Sequence, residues 1–330
     1  MSLFAARSRV RIAVAVLVAA AAAVLVSACG SSGSNNTAGG NPSAPSGLIK
    51  SDPSNGNVTL TVGSKNFTEQ YILGQIYAQA LTAAGYDVKT QLNLGSETIA
   101  LKALQNGEIS GYPEYTSTAL ESFFGVKPQD VPSTAAGAYA IAKKDLEKQG
   151  QTAFPPAPYS SANALGTLTS TAKKLGAKTI SDLKGKSQDL SLYGAPECRQ
   201  RIDCLLGLEK DYGLKFKSFT PVDIGLRYQV LDKGQADLSI LFTSDAQLAN
   251  TNKYTLLKDD KHVLTPGYPM FITTPKIVKQ AGPDFEKTIE AVNKPLDLQT
   301  IRELNARVDI DKKSPADVAS EYLKSAGFVK

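Results

Sequence analysis

Two successive stretches of strand–helix alternation constrain this chain more than any other feature. Val58–Gly63 (VTLTVG) is alternating and β-branched, as a strand requires. Phe67–Gly85 follows with Ile72, Leu73, Ile76, Tyr77, Ala80 and Leu81 at helical spacing, and Gly85 closes it. The pattern then predicts a strand over Val88–Leu94, a helix over Thr98–Gly107, a short strand over Ile109–Tyr115 and a helix over Thr134–Gly150. Residues 152–158 (TAFPPAP) hold three prolines and read as an extended crossing segment. A second alternation follows. It predicts short helical structure over Ile180–Leu183, strands over Leu190–Tyr193, Phe216–Thr220 and Ala236–Phe242, and helices over Arg201–Tyr212 and Leu226–Lys233. Val263–Thr274 is extended again, and Pro283–Gly327 is mostly helical. Such alternation implies parallel sheets covered by helices. Two sets joined by two crossings predict an α/β chain of two lobes, 58–160 plus 265–330 and 161–264. A ligand would sit at the carboxyl ends of the strands, in the cleft between the lobes.

The first 57 residues belong to neither set. Arg7, Arg9 and Arg11 precede an uncharged apolar run, residues 12–28 (IAVAVLVAAAAAVLVSA). A positive start, a short apolar stretch and small residues at its end describe a secretory signal peptide, residues 1–28. Seventeen residues is the lower limit for a membrane span. The ending Val26-Ser27-Ala28-Cys29 resembles the bacterial lipobox, which implies cleavage before Cys29 and lipidation of its thiol. Residues 30–57 are rich in Gly, Ser, Asn and Pro and cannot bury enough surface to order themselves, so 29–57 reads as a lipid-anchored flexible tether.

Charge and composition then exclude whole classes of function. The formal charge is +5, of which the three leading arginines account for three, leaving a near-balanced body without the charge of a nucleic-acid binder. A single histidine, His262, excludes zinc fingers and HExxH sites. No GxSxG, GxGxxG or complete phosphate loop occurs. Gly185-Lys186-Ser187 lacks the upstream glycine, and SxxK at Ser170–Lys173 and Ser181–Lys184 lacks its partner motifs. Nothing nominates a catalytic residue, a metal or a cofactor. Besides Cys29 there are only Cys198 and Cys204. In an exported protein that pair favours a disulfide, with two free buried thiols as the alternative. A regular helix would hold the two Cα atoms about 9 Å apart, so a bond requires a turn between them.

Four segments carry a resemblance. They are Gly63-Ser64-Lys65-Asn66-Phe67-Thr68-Glu69-Gln70; Leu104–Ile109 running into Tyr112-Pro113-Glu114-Tyr115-Thr116-Ser117-Thr118; Glu197–Gly207; and Leu304–Asp309 leading to Ala316–Gly327. In this order, over about 58–330, they resemble the substrate-binding proteins of glycine betaine, carnitine and choline ABC transporters. The resemblance implies a type II periplasmic-binding-protein-like fold: two lobes with two crossover segments that close over a solute and dock on a permease. It implies a quaternary ammonium held in an aromatic cage by cation–π attraction, because a methylated ammonium has no hydrogen to donate. Carried onto this chain, Tyr115 and Tyr268 match cage tyrosines, and Phe242 stands near a third with its π face kept. Thr118 matches a polar contact, Lys65, with Asn66 beside it, and Arg201 match basic contacts to a carboxylate, and Glu197 matches an acid beside the cage. Asn163 stands where the family has a further ring. Ser110 and Ser117 replace the family's Asp and Gly, and Cys198 and Cys204 its Phe and Gly. The expectation is a monomeric, membrane-anchored binding component of an importer, with no enzyme activity, cofactor, metal or nucleic-acid partner. The alternatives are the same role for a less cationic solute, or a sensor or adhesion lipoprotein.

Overall fold

The computed structural model describes residues 47–330. The expected signal peptide, Cys29 and most of the expected tether lie outside the described residues. The last part of that tether is not free. Ile49 N donates to Phe328 O (2.9 Å), Asp52 N to Ala84 O (3.1 Å), and the buried Asn55 Nδ2 to Ala84 O (2.9 Å). These main-chain and side-chain groups find partners on the body, so residues 49–57 dock there, and the boundary expected at 57 moves toward the N-terminus.

Ten strands form two five-stranded sheets. The first holds β1 (Thr59–Gly63), β2 (Asp87–Gln91), β3 (Gly111–Tyr115), β4 (Thr152–Ala153) and β10 (Pro269–Thr273), in the order β2-β1-β3-β10-β4. The second holds β5 (Asn163–Leu168), β6 (Ser191–Gly194), β7 (Ser218–Pro221), β8 (Leu238–Phe242) and β9 (Tyr254–Leu256), in the order β7-β6-β8-β5-β9. Helices cover them. The helix Thr68–Ala83 is among the most enclosed, with Ile72, Leu73, Ile76, Tyr77, Ala80 and Leu81 at zero exposure. Each large apolar side chain so buried contributes about 1.5–3 kcal/mol.

The sheets are not purely parallel, as the alternation had implied. β1 runs parallel to β2 and β3, and β6 to β7 and β8. β10 is antiparallel to β3 and β4, and β5 to β8 and β9. The cause is where the crossings enter. β10 begins with Pro269 opposite Tyr115, the last residue of β3. β5 begins with Asn163 opposite Phe242, the last residue of β8. A chain entering a sheet at the carboxyl ends of its parallel strands can only run back against them. The same entry gathers the ends of β1, β3, β6 and β8 with the start of β5 along one cleft.

The two crossings pair with each other as well, since Ser161 N donates to Gly267 O (2.9 Å) and Gly267 N to Ser161 O (2.8 Å). Gly267 permits this approach: a Cβ there would lie 2.5 Å from Ser117 Oγ and 2.8 Å from Tyr115 Cβ. Several other boundaries differ from expectation. The helix expected over Arg201–Tyr212 is confined to Leu205–Lys210, preceded by a 3-10 turn over Pro196–Gln200. β5, the helix Thr169–Leu175 and β9 were not expected from the pattern.

Candidate functional site

The cleft between the two sheets encloses about 740 Å³, its open mouth included. Among its lining residues are Lys65, Asn66, Tyr115, Thr118, Asn163, Glu197, Arg201 and Phe242, eight of the nine binding positions expected from the sequence. They come from segments far apart in the chain, and the strand ends bring them together.

The first-sheet wall is built on β3, in which all five residues are buried. Its GYPEY sequence places Glu114 and Tyr115 next to each other at the cleft end. Glu114 is fully buried and ion-paired with Lys65, itself 4% exposed. Glu114 Oε1 also accepts from Tyr115 N (2.8 Å), and Oε2 from Tyr112 OH (3.2 Å). Lys65 was expected to meet a solute carboxylate; here its charge is already answered. Tyr115 OH donates to Glu69 Oε1 (2.6 Å), which also accepts from Tyr159 OH (3.0 Å). Burial first, then the Glu69 charge, pushes the Tyr115 phenol well above its ordinary pKa, so it stays a donor.

The aromatic faces meet across the cleft. Phe67 lies 5.1 Å from Phe242 and 6.2 Å from Tyr115, centroid to centroid. Lys65 Nζ stands 4.8 Å from the Tyr115 centroid, and the Arg227 guanidinium carbon 3.9 Å from that of Phe242. Arg227 is held by Asp245 (3.0 Å) and by the Ile224 carbonyl (2.7 Å from Nε). These rings attract positive charge, as their quadrupoles require.

The second-sheet wall is polar and lies mostly in loops. Arg201 Nε donates to Asp203 Oδ1 (2.7 Å), its Nη2 pairs with Asp203 Oδ2, and its Nη1 lies 3.5 Å from Glu97 Oε2 on the opposite wall. Burial opposes the Arg201 charge, but Asp203 and then Glu97 more than offset it, so the guanidinium stays ionised. Asn163 spends its amide on this loop, with Nδ2 donating to Asp203 O (3.0 Å) and to Asp203 Oδ2 (3.2 Å). Cys198 and Cys204 are bonded, with Cα atoms 5.2 Å apart across the turn that replaces the expected helix. Gly207 makes that turn possible, because a Cβ there would run into the Ile202 carbonyl. Glu197 lines the cleft with no ion-pair partner among the described residues. Burial, and less strongly the nearby Glu97, raises its carboxyl pKa above the ordinary value.

Tyr268 does not join the cleft. Its hydroxyl donates to Ser133 O (3.0 Å), and its ring packs on the cluster containing Ile109, Tyr112 and Met270. In extended chain neighbouring side chains point to opposite sides. Gly267 faces Tyr115, so Tyr268 faces away. Sequence reasoning missed Phe67, Glu97 and Arg227. Phe67 stood inside the quoted SKNFTEQ motif, but nothing in the sequence marked its ring as facing Phe242.

Residues 58–325 match the family described as the substrate binding domain of ABC-type glycine betaine transport systems. The glycine-betaine-binding protein of Pseudomonas aeruginosa is 34% identical over 277 residues, which is 81% of this chain and 87% of that protein. An ergothioneine transport permease/ergothioneine binding protein of Helicobacter pylori is 30% identical over 82% of this chain, but the match covers 48% of that longer protein. A crystal structure described as that of a glycine betaine/carnitine/choline ABC transporter superposes with a TM-score of 0.63 at 27% identity, over 81% of this chain and 98% of the other. The two-lobed α/β fold is thus that of periplasmic binding proteins. The chain belongs to the family of substrate-binding domains of ABC-type glycine betaine transport systems.

Proposed function

We propose that this chain captures a small quaternary-ammonium solute of the glycine betaine, choline or carnitine kind between its two sheets, outside the cytoplasmic membrane, and hands it to an ABC permease. The observation that carries this reading is the charge balance of the cleft. Lys65, Arg201 and Arg227 each have a carboxylate partner, whereas Glu197 has none among the described residues. A cleft with answered cations, one free carboxylate and the rings of Phe67, Tyr115 and Phe242 offers most to a compact cation. Such a solute gains from ring faces and from Glu197 without having to donate a hydrogen bond. A carboxylate on the same solute would have to share Arg201 or Lys65 with the carboxylates that already pair with them. In this reading Lys65, Asn66, Tyr115, Thr118, Glu197, Arg201 and Phe242 contact the solute. The lobes 58–160 plus 265–330 and 161–264 close over it, and a lipidated Cys29 holds the monomer at the membrane.

A second reading keeps the transport role but changes the solute. Asn163 stands where the resemblance places a ring, and a relative 30% identical to this chain is named for ergothioneine. One absent ring contact is worth roughly 0.5–2 kcal/mol.

The test is calorimetric titration of residues 47–330 with glycine betaine, choline and carnitine. Micromolar binding of at least one, weakened at least tenfold by Phe242→Leu, supports the proposal. Failure of all three at millimolar concentration, with the protein folded, removes the quaternary-ammonium assignment and leaves the second reading.

A further inference from the structure

Asn163 and the Cys198–Cys204 pair are separate departures from the family's pattern in the sequence, and in the structure they meet. Both cysteines are 2% exposed, line the cleft and are bonded to each other. The loop they close carries Arg201 and Asp203. Asn163, on the neighbouring strand β5, donates twice to Asp203, once to its main chain and once to its carboxylate. Asp203 in turn aligns Arg201 through both carboxylate oxygens, and Arg201 reaches Glu97 across the cleft. Every link from Asn163 to the opposite wall is therefore a named contact.

We propose that the disulfide and Asn163 form one positioning device for Arg201, so that Asn163 acts through Asp203 rather than by touching solute. The physical case is one of entropy and direction. A loop with little regular secondary structure leaves the long Arg201 side chain free to choose among several carboxylates. The disulfide removes most of the loop's freedom, and the Asn163 amide selects the orientation of Asp203. What stays defined is the reach of the guanidinium to Glu97, hence the fit of one wall to the other. The inference rests on the cleft being the solute site, but its first measurement needs no solute.

Hydrogen–deuterium exchange on the full body reads both walls at once. Cys198→Ala/Cys204→Ala is expected to speed exchange over residues 199–205. It is also expected to speed exchange, about threefold or more, at the Ile99 and Ala100 amides beside Glu97 on the opposite wall. Asn163→Ala, which keeps the disulfide, is expected to do the same at Ile99 and Ala100. Combining the two changes should add little, because groups acting as one unit are non-additive. A disulfide with a merely local role would change its own loop and leave Ile99 and Ala100 untouched, and that result overturns the proposal. Should the cysteine variant fail to fold, Asn163→Ala decides alone: unchanged exchange at Ile99 and Ala100 overturns the proposal. The second measurement is affinity for glycine betaine and choline, expected to fall about tenfold in either variant. If the unaltered protein binds neither of these nor carnitine, the proposed function falls, and exchange still decides this inference.

Discussion

The two walls of the cleft hold their side chains by different means. The first-sheet wall rests on β3, a fully buried strand whose last two residues, Glu114 and Tyr115, inherit their positions from the hydrogen-bond ladder to β10. The second-sheet wall rests on 3-10 turns and a loop, and it is kept in shape by a disulfide and by the amide of Asn163. Regular structure orients a side chain at almost no extra cost, because its backbone is already ordered. A loop needs a dedicated restraint for each side chain that must point one way. The first wall is therefore expected to be sensitive to loss of a buried charge, and the second to loss of a cross-link.

The largest effect should come from the first wall. Glu114→Ala leaves the Lys65 ammonium buried without a partner and should cost about 3–5 kcal/mol in urea unfolding. Replacing both members with apolar side chains should recover much of that, which would separate the charge from the packing. On the second wall, Cys198→Ala/Cys204→Ala should cost about 2 kcal/mol, the loop-entropy value for so short a loop. A cost near that of Glu114→Ala would mean that the disulfide supports more than its own loop. Tyr115→Phe removes one of the donors to Glu69 and should cost about 1–2 kcal/mol, since Tyr159 and Asn305 still serve that carboxylate.

Glu121 tests how the walls face each other. It lies on the first-sheet side, accepts from Thr265 Oγ1, and has its other carboxyl oxygen buried without a partner. Burial first, and then Asp203 of the second wall, pushes its pKa up to about 8. The folded state thus holds this proton more tightly than the unfolded chain does. Its contribution to stability is complete below the ordinary carboxylate pKa and is lost as pH rises through about 8. Melting temperature measured from pH 5 to 9 should fall less steeply in Glu121→Gln. An unchanged slope would mean that the folded state does not hold the Glu121 proton more tightly than the unfolded chain does. The smallest effect belongs to a pair far from either wall. Lys253 and Asp232 pair at 2.9 Å while both remain solvent-accessible, and Lys253→Ala should change stability by less than about 0.5 kcal/mol.

The same contrast explains what could be read before the structure was known. Val58–Gly63, Phe67–Gly85 and Ile109–Tyr115 were legible because apolar periodicity records which face a regular element buries. On the first wall, Lys65 and Tyr115 were found through their motifs. Their partners Glu69 and Glu114 stood in those same motifs without any sign of whom they would meet. On the second wall the reading was weaker. A helix was expected over Arg201–Tyr212 because its apolar spacing is helical, but the Cys198–Cys204 bond and the turn before it override that local preference. Asn163 read as a lost ring, whereas it is a donor to Asp203, forty positions away.

By itself the sequence determined most of the alternating elements, the two crossings, the residue types available at the strand ends, and the sparse cysteine pair. Those follow from local periodicity and composition, which each short segment carries alone. Only the tertiary structure decided that β5 and β10 run backward against their neighbours, that Tyr268 faces away from the cleft, and that Phe67 and Phe242 meet across it. It also decided that Lys65 and Arg227 are neutralised by their own carboxylates, while Glu197 has no ion-pair partner among the described residues. Pairing of charges and rings depends on distances between segments that are remote in the chain. Those distances exist only once the two sheets are packed and the crossings have set how they enter.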